Sequence, residues 1–231
     1  MKKYLCILLS LLLLASCAST KKKVISNKAW RNATNNAVKR YSPVAEKQLS
    51  SYFAAANMSY PPKKIALLAF KKEREIELWA KDGDWHKVHN YPLTAFSGKL
   101  GPKLKENDRQ IPEGIYDITS LNPYSSFHLS MMLNYPNAFD KRHGKKDGRK
   151  KLGNNIFIHG RAASVGCLAI GDSAIEQLFV LVNKVGRNNA KVIIAPNDFR
   201  QNPVFTQLKN QPTWVPNLYA NIKQELKPYH A

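Results

Sequence analysis

From position 61 onward, apolar residues come in short runs separated by Gly, Pro, Asn and charged clusters, the texture of strands bounded by turns. The runs Ile65–Phe70, Glu75–Ala80 and Trp85–Phe96 predict strands, the last two joined by a turn at Lys81-Asp82-Gly83-Asp84. Further strands are predicted at Gly114–Thr119, Phe127–Asn134, Asn155–Ile158 and Val192–Ala195. The period changes to that of a helix where Ile175, Leu178, Phe179, Val182 and Val185 follow a Ser173/Glu176 capping-box pattern, predicting a helix through Lys184. Asn217–Lys227 reads as a terminal amphipathic helix. Residues 28–60 predict two helical pieces, because Ser42-Pro43 has the form of a cap and a first-turn proline ahead of Val44, Ala45, Leu49, Tyr52, Phe53 and Ala56. The expected architecture is mostly β with a few helices, an α+β domain over residues 61–196. A helical segment at 28–60 precedes it, and an extension at 197–231 packs on it.

Ahead of this body, Lys2 and Lys3 precede an apolar run, Leu5–Leu14, too short to span a bilayer of roughly 30 Å but suited to a signal peptide. The run ends in Leu14-Ala15-Ser16-Cys17, which resembles a bacterial lipobox. That resemblance implies a signal peptide at 1–16, a lipidated Cys17 and a Lys-rich tether at 17–27. Ala18, where the enterobacterial rule for inner-membrane retention has Asp, points to the outer membrane. The expectation is an exported, lipid-anchored envelope protein facing the periplasm.

Composition narrows the picture. The 231 residues are 44% hydrophobic with 11 Gly and 13 Pro, which argues against disorder and fibrous repeats. A chain of this length buries a sufficient core without disulfides or metals. The excess of 36 Lys+Arg over 16 Asp+Glu gives +20, a field that attracts nucleic acid, anionic lipid or an acidic wall polymer; export argues against nucleic acid. The densest basic stretch, Lys141–Lys151, is also Gly-rich and is expected to be a mobile loop, either simply solvated or guiding an anionic substrate.

Cysteine usage points to chemistry. Cys6 leaves with the signal peptide and Cys17 carries lipid, so Cys167 is the single free thiol. Eight positions before it, a predicted strand stops at His159-Gly160, and a loop of small residues, Arg161-Ala162-Ala163-Ser164-Val165-Gly166, leads back to Cys167. An imidazole within reach of a thiol draws off its proton, and the thiolate is the form that attacks carbonyl carbon. Gly160 and Gly166 allow close backbone approach, and the amides of Gly166 and Cys167 are candidates to hold an oxyanion. His143, in the basic stretch, is a rival base, poorly positioned among Gly and Lys. Cys167 as a buried small hydrophobe is the plain alternative. No His/Cys spacing indicates a metal.

At these residues the sequence resembles the L,D-transpeptidase catalytic domain (YkuD) family, whose signature is His-Gly after a strand and a downstream Ser/Thr-His-Gly-Cys; here the second element is Ser164-Val165-Gly166-Cys167. With Val165 for the second His and a short loop after His159, the likeness is strongest to the YafK-like branch. Supporting blocks in the same order are Gly101-Pro102-Lys103-Leu104, Asp108–Tyr116 and Asn134–Asp140, and the resemblance covers about Lys63 to Pro196. It implies an L,D-transpeptidase-like β-sandwich, Cys167 as nucleophile, His159 as general base, the Gly160 carbonyl as the group orienting the imidazole, and Ser164 steadying the loop. Arg161, Tyr135 and Val165 are then candidates to meet substrate. No cofactor is implied, and the partner is the stem peptide of peptidoglycan. One acyl-enzyme would serve either outcome: crosslinking when an amine enters, or amidase cleavage, including release of a wall-bound lipoprotein, when water does. The other class kept open is a lipid-anchored wall-binding protein without turnover. Papain-like and NlpC-type hydrolases place Cys before His, the reverse of the order here. Sortases need a downstream Arg, and neither Arg187 nor Arg200 stands in a sortase context.

Overall fold

A computed structural model of the chain describes residues 26–202 and 211–230. The expected signal peptide and lipidated Cys17 lie outside these residues. In chain order the elements are α1 (Asn27–Ala55), β1 (Lys64–Phe70), β2 (Glu75–Asp82), β3 (Asp84–Pro92), β4 (Gly114–Asn122), β5 (Ser130–Leu133), α2 (Ala138–Lys146), β6 (Phe157–His159), β7 (Leu168–Ala169), α3 (Asp172–Val185), a 3-10 turn (Arg187–Asn189), β8 (Ala190–Ala195) and α4 (Val215–Leu226). The fold is mixed α+β, as expected.

The strands form one hydrogen-bonded sheet in the order β3-β2-β1-β8-β4-β5-β6-β7. β4 joins two halves: Gly114–Asp117 pair with β8, Ile118–Asn122 pair with β5, and the register breaks between Ile118 and Ser120. Such an irregularity bends a strand and lets it serve two sheets. β1 is buried from Ile65 to Phe70 because both its faces are covered, which is why its apolar run does not alternate. Leu67 and Ala69 face the larger core, with Leu49 and Phe53 of α1, Leu178 and Phe179 of α3, and Met131, Ile158 and Leu168 of the other half-sheet. Ala66, Leu68 and Phe70 face the second core, with Trp79, Ile193 and the α4 residues Leu218, Tyr219 and Ile222.

Several expectations need correction. The N-terminal helix is one piece: Pro43 lies inside α1 rather than at a start. Proline removes one backbone donor and crowds the carbonyl four residues back, but Pro43 and Lys39 are both exposed, where the lost bond costs less than in a buried helix. The basic stretch is not a loop throughout. Asn137 caps α2 by accepting from the Asp140 amide at 3.0 Å while its own amide donates to Asp140 Oδ2 at 2.9 Å, and this box carries the helix to Lys146. Phe127–Leu129 precede β5 as a loop, with His128 in the left-handed region at φ 73°. The Ser173/Glu176 box does not form: Gly171 occupies the N-cap without a side-chain bond, and Glu176 instead meets His128 Nε2 at 2.6 Å.

Candidate active site

β6 runs between β5 and β7, with Ser130 opposite His159 on one side and Ile158 and His159 opposite Leu168 and Ala169 on the other. Cys167 directly precedes Leu168, so by register it lies across from Phe157. Side chains two apart on a strand share a face, as do register partners on neighbouring strands. Phe157, His159 and Cys167 therefore point the same way, and all three line a groove of about 240 Å³ whose far wall is Asn122, Tyr124, Ser125, Ser126 and Phe127.

The imidazole is fixed on one side. His159 is only 2% exposed and its Nδ1 lies 2.7 Å from the Gly160 carbonyl oxygen. A carbonyl only accepts, so Nδ1 carries the proton and Nε2 keeps its lone pair for the groove. The Phe127 ring packs on the imidazole with centroids 4.6 Å apart. Burial holds the His159 pKa below its ordinary value, partly offset by the bond to Gly160. Burial also pushes the Cys167 thiol up, against smaller opposing effects of a backbone bond from Phe157 and the charge of Lys103. Both shifts run toward the neutral forms, thiol and imidazole. The sulfhydryl donates to the Asn155 carbonyl oxygen at 3.8 Å.

The loop between the two residues is braced from below. The Gly166 amide donates to Ser97 Oγ at 2.7 Å, Ser97 and Ser164 share a hydroxyl hydrogen bond of 3.0 Å, and Ser164 Oγ donates to the Cys167 carbonyl at 2.7 Å. Gly166 adopts φ +102° and a Cβ there would stand 3.0 Å from the Gln110 carbonyl, so the position requires glycine. Gln110 in turn is held by the backbone of Lys99 and Gly101. Beneath them the buried Lys71–Glu113 pair, 2.9 Å apart, ties down Gly101 through both its amide and its carbonyl. Two of the upstream blocks noted in the sequence, Gly101–Leu104 and Asp108–Tyr116, supply Gly101, Gln110 and Glu113 to this scaffold.

The structure separates the remaining candidates. The Gly166 amide points at Ser97, so it is not a free oxyanion donor as expected. Tyr135 is 4% exposed and its hydroxyl donates to the Leu152 carbonyl at 2.9 Å, so it belongs to the core and not to the groove. His143 packs between Phe139 and Trp214 on α2, away from the groove that Cys167 lines. Arg200 is bound to Asp198 and Glu77. Arg161 and Val165 sit on the exposed loop beside Cys167, Val165 with 71% of its surface open; the Arg161 amide donates to Asp172 Oδ1 at 2.7 Å. Sequence reading missed Ser97 and the Asn122–Phe127 wall. Ser97 carries no signal of its own, whereas Asn122-Pro123-Tyr124-Ser125-Ser126 is rich in turn residues, a pattern that marks a loop.

Comparison with known proteins gives the family of the chain. The chain is 32% identical over 138 residues to the "Putative L,D-transpeptidase YafK" of Escherichia coli, in both strain K12 and O157:H7, covering 57% of this chain and 54% of that protein. The chain thus matches about half the length of these curated relatives. Among solved structures it is similar to the helical cell shape determining protein Pgp2 from Campylobacter jejuni, with a TM-score of 0.48 and 22% identity over 58% of this chain and 48% of that one. It is also similar to Bd1075 of Bdellovibrio bacteriovorus, with a TM-score of 0.44 and 22% identity over 71% and 54% of the two chains. Likenesses at these scores carry no weight beside the match of the L,D-transpeptidase catalytic domain description, YkuD, to residues 65–194. On that match, which spans β1 to β8 and contains both His159 and Cys167, the chain belongs to the L,D-transpeptidase catalytic domain family.

Proposed function

We propose that this protein is a peptidoglycan-modifying cysteine acyltransferase that forms a thioester on Cys167 with a stem peptide. The observation that carries this reading is the common groove of Cys167 and His159, with the imidazole tautomer set by the Gly160 carbonyl. As Sγ attacks the scissile carbonyl carbon, its proton passes to His159 Nε2. The Cys167 amide, the remaining member of the expected donor pair, stabilises the oxyanion. Collapse breaks the amide bond, and His159 returns the proton to the departing amine. An acceptor amine then attacks the thioester and regenerates the thiol, closing a crosslink; water entering instead gives cleavage, including detachment of a wall-bound lipoprotein. Val165 and Arg161, exposed on the loop beside the sulfur, are proposed to contact the peptide. Attachment at Cys17, with the domain facing the periplasm from the outer membrane, belongs to the same proposal and would keep the groove near the wall.

The test is to incubate the protein with muropeptides and identify products by mass spectrometry. Wild type yields crosslinked, trimmed or released species, and Cys167→Ala yields none. Absence of product from wild type would leave a lipid-anchored wall-binding protein without turnover. Product from Cys167→Ala would move the nucleophile elsewhere.

A further inference from the structure

A second concavity of about 300 Å³ lies where the start of α1 crosses the end of β4 and the 3-10 turn. Arg31 and Arg187 line it from different elements, with Asn35 and Asn183; Thr119 also lines it, its hydroxyl donating to the Met132 carbonyl at 3.2 Å. Both arginines are exposed, and among the described residues neither has an ion-pair partner. No carboxylate is among the residues that line the pocket. Two guanidiniums without ion-pair partners, together with the side-chain amides of Asn35 and Asn183, line one hollow and suit an anion, since a guanidinium presents a planar fork matched to carboxylate or phosphate.

The pocket adjoins the reactive groove. Leu121 lines the first and Asn122, the next residue of β4, lines the second. Trp30 of the pocket meets Tyr124 of the groove edge-on at 5.6 Å, and its Nε1 donates to the Leu121 carbonyl at 3.0 Å. The Trp30–Tyr124 contact therefore joins the linings of the two hollows.

We infer that this pocket binds a free carboxylate of a stem peptide whose body lies toward the His159/Cys167 groove. The inference rests on the proposed substrate class and adds a site at α1, outside the family match at 65–194. The ligand's charge complements the two arginines, and its length accounts for the continuity of pocket and groove.

Binding is measured by titration calorimetry in a full chain carrying Cys167→Ala, so that turnover does not interfere. The probes are a disaccharide tetrapeptide with free carboxylates, the same compound with its carboxylates amidated, and inorganic phosphate at matched ionic strength. The expected result is about tenfold weaker binding both on amidation and on the double substitution Arg31→Ala/Arg187→Ala, about 1.4 kcal/mol, with no further loss when the two changes are combined. Melting temperature verifies that the double variant is folded, and Arg31→Lys, which keeps charge but loses the fork, recovers part of the affinity. Equal affinity of acid and amide, or of parent and double variant, overturns the inference. Phosphate binding that depends on both arginines while the muropeptide does not compete assigns the pocket to another anion and also overturns it. Failure of the acyl-transfer reading is separable, because it shows as absent product from the wild-type chain whatever the calorimetric difference.

Discussion

At Cys167 burial and function pull in opposite directions. A thiol raised above its ordinary value resists adventitious alkylation and oxidation at neutral pH; in the proposed reaction its activation waits for His159 to take the proton as the bond to carbon forms. The sign is directly testable. The rate of iodoacetamide labelling of Cys167, followed by mass spectrometry against pH, is expected to inflect above the ordinary thiol value of 9.0, and His159→Ala leaves that inflection in place. An inflection well below it would reveal a preformed thiolate–imidazolium pair. At this scale the sharing of one groove by His159 and Cys167 was legible from order and spacing, because a strand ending in His-Gly and a short loop back to Cys constrain where both side chains can go. Tyr135 was not legible: its position at a strand end does not tell which face the ring takes, and the Leu152 carbonyl that claims its hydroxyl is 17 residues away. The third member of the proposed site is a main-chain oxygen. Alanine scanning would not register it, except through the clash that a Cβ at Gly160 would make with Asp172 Oδ1 at 2.6 Å.

Among the elements, the loop that carries Cys167 is held by hydroxyls and not by packing. Ser97 is the junction, accepting from the Gly166 amide and sharing a hydrogen bond with Ser164. Ser97→Ala leaves the Gly166 donor without its acceptor and is expected to destabilise the protein by about 1–3 kcal/mol. It is also expected to lower kcat more than it raises KM, because the loop positions sulfur more than it grips peptide; thermal melts and turnover of muropeptides read the two effects separately. An unchanged kcat would show the brace to be structural only. Strands with dense β-branched and apolar runs were readable in outline, and helices were harder. Ser42-Pro43 imitates a helix start, and only the open surface around it lets α1 continue. The Gly and Lys of α2 disguised a helix whose Asn137/Asp140 box was nonetheless written in the sequence. β7, with two residues, is too short to leave a pattern.

For the whole molecule, the larger core is shared between the family-matched region and a helix that precedes it. Leu49 and Phe53 of α1 are fully buried with residues of β1, β2 and α3. Phe53→Ala is expected to cost about 3–5 kcal/mol through lost burial and a residual cavity, measured by denaturant unfolding. A shift below 1 kcal/mol would mean that α1 merely lies on the surface. The sheet halves and the closing helix could be anticipated as amphipathic pieces, but their partnership could not, since which faces meet is decided by contacts such as Tyr91 with Gln177, 86 positions apart. A practical consequence follows for protein engineers. A chimera that transplants residues 65–194 between relatives, with junctions drawn where likeness begins and ends, would sever this domain from the aliphatic and aromatic plug supplied by α1. Grafts that keep the donor's own segment from residue 27 onward are the ones that preserve a single cooperative unit.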